Sequence, residues 1–100
     1  DRAATDPWAD EPWVDKQFGL MKSHYVDHGV GVIVGEYGAY AKPGFPGTEP
    51  YVRDWARTVT GAIRRNGLVP MWWDTGALVD RRTGAPKDPE LIEAIVGAAR

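Results

Sequence analysis

Two short apolar runs, each closed by an acid, constrain this chain more than any other feature. The first is "GVGVIVGE", residues 29–36, in which β-branched residues follow one another without polar alternation and Glu36 stands at the end. The second, "LVPMWWD", residues 68–74, closes on Asp74. Runs of this length without alternation read as parallel strands covered on both faces. Helical spacing fills the intervals. Val14, Phe18, Met21, Tyr25 and Val26 predict a helix from about Trp13 to His28, with Gly29 as its stop. Tyr51, Trp55, Val59, Ala62 and Ile63 predict a second, capped by Thr48 and ended near Asn66 by Gly67. Asp88 and Pro89 open a third, striped by Leu91, Ile92, Ile95, Val96 and Ala99. The first dozen residues, "AKPGFPGTEP" and "TGALVDRRTGAPKD" read as loops and turns.

Helix, strand, helix, strand, helix is the alternation of a parallel α/β sheet clothed in helices. Two strands cannot be covered on both faces within 100 residues, and a closed eightfold barrel takes about 250. The expectation is therefore a piece of a larger domain. Composition narrows the function. A formal net charge of -2 gives no reason to expect nucleic acid or an anionic membrane surface, and no apolar run is long enough to cross a bilayer. "DRAATDPWAD" does not read as a signal peptide. With no cysteine there is no disulfide, no thiolate nucleophile and no Cys-based metal site.

In parallel α/β folds the chemistry lies at the C-terminal ends of the strands, where both acids fall. A carboxylate at the rim of an apolar sheet is costly unless partnered or catalytic. Gly35 and Gly38 flank Glu36 with minimal bulk. Trp73 sets an indole beside Asp74, and five tryptophans are many for this length. A carboxylate that can attack an anomeric carbon, together with an indole that can stack on a sugar ring, makes a carbohydrate site. Trp72 should point the other way along its strand and pack.

"VIVGEYGA" and "LVPMWWDTG" resemble the seventh- and eighth-strand segments of glycoside hydrolase family 5, the cellulase family A. The likeness continues through "FGLMKSHYVDHGVGVIVGE", "YVRDWARTVTGAIRRNGLVPMWWD", "LVDRRTG" and "PELIEAIVGAA", in order and nearly end to end. It implies that residues 1–100 are the C-terminal portion of a (β/α)8 TIM barrel: helix 6, strand 7, helix 7, strand 8 and helix 8. It implies a retaining endo-β-1,4-glucanase, secreted, free of metal and cofactor, acting on β-glucan polysaccharide or oligosaccharide, with the remaining N-terminal part of the barrel as partner. Glu36 matches the nucleophile and Trp73 the tryptophan that stacks the sugar at the cleaved bond. Asp74 either contacts substrate or fixes the turn after its strand, and Trp8 borders the cleft. Three positions depart from the family pattern: Val30-Gly31 where Ile-Pro or Val-Pro is common, Tyr37 for Phe or Trp, and Thr75 for Asn. The family's acid/base is a Glu after Asn at the fourth strand; no Asn-Glu pair occurs here, so the chain alone is expected to be inactive. A mannanase or xyloglucanase of the same family, or a non-catalytic carbohydrate-binding piece, are the alternatives.

The remaining motifs read as structure. His24 and His28 have metal spacing but lack a third ligand. Gly29, Gly31 and Gly35 precede or lie within a strand, the wrong context for a dinucleotide turn. Arg64 and Arg65 suit a helix C-terminus, and Arg81 and Arg82 read as solvated.

Overall fold

The computed structural model describes Asp6, Trp8 and residues 10–100; the reading of the first dozen residues as loop otherwise falls outside it up to Asp10. The described elements are α1 (Glu11–His24), a 3-10 turn (Val26–His28), β1 (Ile33–Tyr37), α2 (Glu49–Arg65), β2 (Val69–Trp72) and α3 (Pro89–Ala99). β1 and β2 pair in parallel, as the pattern predicts. α1 starts two residues earlier than expected, because the Asp10 carboxylate accepts the Trp13 N–H at 2.9 Å and Pro12 sits where a helix needs no donor.

α2 is the hub. It packs against α1, α3 and β2, and Ala56, Val59, Thr60, Ala62 and Ile63 are buried along it. Thr48 stands at its N-cap position but turns its hydroxyl back to the Phe45 carbonyl at 3.2 Å, so the expected side-chain cap does not form. The other end is a two-bond αL cap. Gly67, at φ 75°, donates to Arg64 O at 3.0 Å, and Leu68 N donates to Ile63 O at 3.0 Å. The same turn drops Leu68 beside Ile63 and Val59, which form the core. Fully burying a side chain of this size stabilises by about 1.5–3 kcal/mol. α3 is tied down at both ends: Asp88 accepts Leu91 N and the Arg53 guanidinium, and Arg64 Nε donates to Ala99 O at 2.9 Å.

Among the described residues the sheet is covered on one side only. Val32, Val34 and Tyr37 pack on the α2 core, together with Val14, Phe18 and Val26. On the opposite face Ile33, Val69, Met71 and Trp73 are 61%, 47%, 52% and 57% exposed. Strands covered on both faces are thus not found among the described residues, because the apolar pattern requires a second layer that these residues do not supply.

Candidate functional site: the cleft at the strand ends

The pairing register decides which way Glu36 points. Ile33 lies opposite Val69 and Val34 opposite Pro70, but the next pair is Tyr37 with Trp72. β1 thus carries one residue more than β2 over this interval, a bulge. Under strict alternation Glu36 would share the face of Val32 and Val34 and be pressed against α2. With the extra residue, Tyr37 takes the inward place and Glu36 joins Ile33 on the open face, exposed. Its carboxylate makes no hydrogen bond or ion pair among the described residues.

Tyr37 is anchored. Its phenol shares a 2.8 Å hydrogen bond with the hydroxyl of the buried Thr60, and its ring meets Trp72 edge-on at 5.4 Å between centroids. Trp55 of α2 closes the group, 6.2 Å from Trp72. Burial pushes the Tyr37 phenol above its ordinary pKa, and the Thr60 bond offsets part of that. Trp72 therefore packs as expected, on the side away from Trp73.

Beyond the anchor, Trp73 N donates to Tyr37 O at 2.9 Å and the strands separate. A cleft of about 320 Å³ opens there, lined by Glu36, Gly38, Tyr40, Trp72, Trp73 and Asp74 among others. A Cβ on Gly38 would lie 3.2 Å from the Trp73 carbonyl and 3.7 Å from the Trp72 ring, so glycine is what lets the two strand exits approach. The cleft gathers three of the residues singled out from sequence, Glu36, Trp73 and Asp74. Trp8 is 65% exposed and is not among the lining residues. Sequence reasoning missed Tyr40, whose signal was available: an aromatic residue in the loop that leaves a functional strand.

Asp74 organises the loop that follows it. Its Oδ1 accepts Gly76 N at 2.8 Å and Leu78 N at 3.0 Å, and Arg81, expected to be solvated, donates to its carbonyl oxygen at 2.8 Å. Lys87 reaches Gly76 O, and Val79 bridges Pro86, so residues 74–88 form a braced excursion. The Leu78 N–H does most to hold the Asp74 carboxyl below the ordinary carboxylate range; burial opposes it, and the Gly76 and Ala77 N–H groups and Arg81 add to it. A depressed pKa stabilises the ordered loop above the ordinary value, and that contribution is lost as pH falls through the lower folded one. In a pH titration the Gly76 and Leu78 amide resonances should shift with a midpoint below about 3.9, the unperturbed aspartate value; a midpoint at or above it would contradict this bracing.

Among the described residues no group of three or more His, Cys, Asp and Glu is placed to hold a metal, and no helix is long and apolar enough to cross a membrane. Arg65 pairs with Asp15 at 3.3 Å, linking α2 to α1.

No family model matches the chain. Endoglucanase A of Paenibacillus barcinonensis is 30% identical over 106 residues, covering 93% of this chain and 26% of its own length. The solved family 5 xyloglucanase of Paenibacillus pabuli superposes with a TM-score of 0.88 at 26% identity, over 100% of this chain and 30% of that one. This chain resembles the C-terminal part of a family 5 glycoside hydrolase. The family 5 xyloglucanase of Bacteroides ovatus, solved with a XXXG heptasaccharide, matches with a TM-score of 0.84 at 28% identity, over 96% of this chain and 22% of that one. The chain spans about a quarter or less of the curated relatives it matches.

Proposed function

We infer that residues 1–100 are the nucleophile-bearing part of a retaining β-glucan hydrolase, the last helices and strands of a (β/α)8 barrel from helix 6 through helix 8. The observation that carries this reading is the shared face and cleft of Glu36 and Trp73, a carboxylate unpaired among the described residues beside an exposed indole. In this reading Glu36 attacks the anomeric carbon and the bond to the leaving glycosidic oxygen breaks as that oxygen takes a proton from an acid outside this chain. Water, deprotonated by the same group, then releases the sugar from Glu36. The indole of Trp73 holds the apolar face of the ring during both steps. The open apolar face of β1 and β2 is the surface that the preceding strands of the barrel would cover.

The substrate is a β-1,4-linked glucan met outside the cell. Endoglucanase and xyloglucanase relatives support that backbone, and the xyloglucanases among them favour xyloglucan as a second form. The test is the stereochemistry of hydrolysis by the full-length protein that carries this chain. Proton NMR of the first product formed from a soluble β-glucan should show the β-anomer before mutarotation. The α-anomer first would exclude a glycosyl-enzyme intermediate, and binding without any turnover would leave a non-catalytic carbohydrate-binding protein.

A further inference from the structure

We propose that Tyr37 is a positioning residue: anchored on Thr60 and wedged against Trp72 and Trp55, it holds in place the extra residue of β1 that turns Glu36 out of the core face. This rests on the reading of Glu36 as nucleophile and asks what aims it. Tyr37 is the residue at which the strands return to register, opposite Trp72. Its hydroxyl reaches a threonine that is 0% exposed and 23 residues away, on the helix that forms the core. The two rings that flank it come from different elements, α2 and β2, so its place is set from both sides. A slip of one residue would put Glu36 opposite Trp72 and drive its carboxylate toward Thr60 and Val59, while the phenol swung into the open. The inward slot accepts the side chain whose length lets its oxygen reach Thr60 and its ring fill the gap between two indoles. That slot fixes the outward place of its neighbour.

The experiment uses the full-length protein carrying this chain and a 2-deoxy-2-fluoro-β-cellobioside with a dinitrophenyl leaving group. The Glu36 carboxylate forms a bond to C1, dinitrophenolate departs with the electron pair of the broken C–O bond, and the fluorine slows release of the labelled enzyme. No acid catalyst is needed, so the labelling rate reads the placement of the nucleophile alone. The wild type should be labelled on Glu36. Tyr37→Leu, which removes both ring and hydroxyl, should lower the labelling rate and kcat by about 100-fold. Tyr37→Phe and Thr60→Val, which remove only the hydrogen bond, should lower both roughly 3- to 10-fold, with KM within about twofold of wild type. A folded Tyr37→Leu protein labelled at the wild-type rate would overturn the proposal. Should that variant fail to fold, wild-type labelling of both hydrogen-bond variants would overturn it equally, whatever their thermal stability. A wild type labelled elsewhere than Glu36 would bring down the nucleophile reading and this proposal with it.

Discussion

Replacing Glu36 with glutamine in the full-length protein is expected to lower kcat on β-glucan by at least about 10⁴-fold, because a neutral amide cannot form the glycosyl ester through which both steps run. The substitution changes one atom on an exposed side chain that makes no bond to the other described residues. Folding should therefore be untouched, with thermal unfolding unchanged, and affinity for an oligosaccharide should stay within about threefold. The combination matters more than the loss alone. Lost turnover with kept binding assigns the carboxylate to the reaction; kept turnover would return Glu36 to the role of a solvated strand acid. The measurements are initial rates of reducing-sugar release and calorimetric titration with cello-oligosaccharide, run on the same preparations.

The second large effect concerns residues 1–100 produced alone. Four apolar side chains of the open sheet face are half or more exposed or close to it, and β1 and β2 leave unpaired strand edges on either side. A two-stranded sheet is marginal in water, and an apolar patch with free edges associates. The isolated polypeptide should sediment as dimers or larger species at micromolar concentration and lack a cooperative monomeric thermal transition. Ile33→Lys with Met71→Lys, on that face and away from the α2 core, should shift the population toward monomer. A clean monomer of the unaltered sequence with a sharp transition would refute the expectation.

Much of the architecture was legible because it is written locally. Gly29 at φ 79° and Gly67 at φ 75° end helical segments where only glycine is unstrained, and Asp88-Pro89 opens α3 through a bond three residues long. Parallel pairing followed from β-branched runs alternating with amphipathic helices. The direction of Glu36 was not legible. Period-two reasoning puts it beneath α2, and only the pairing of residues 33–37 with residues 69–72, distant in the chain, reveals the surplus residue. Tyr37 gave no sign of its anchor, since Thr60 lies in mid-helix with nothing around it to mark a polar partner. Thr48 misled in the opposite sense: its identity fits a cap, yet a nearby carbonyl captured the hydroxyl first. Asp74 left two roles open in the sequence, and its bonds to Gly76 and Leu78 supply the bracing one.

The αL cap at Gly67 and Leu68 also bears on where such a protein can change. Residues 66–68 hand α2 directly to β2 with no slack, since the residue that closes the helix is already in the core. At the other ends of the strands, residues 38–48 and the braced residues 73–88 form long loops that contribute much of the cleft wall. The connection is thus short and tied to the core at one pole, and long at the opposite one. Residues added beside Tyr40 would reshape the cleft wall without touching the core of Val59, Ile63 and Leu68.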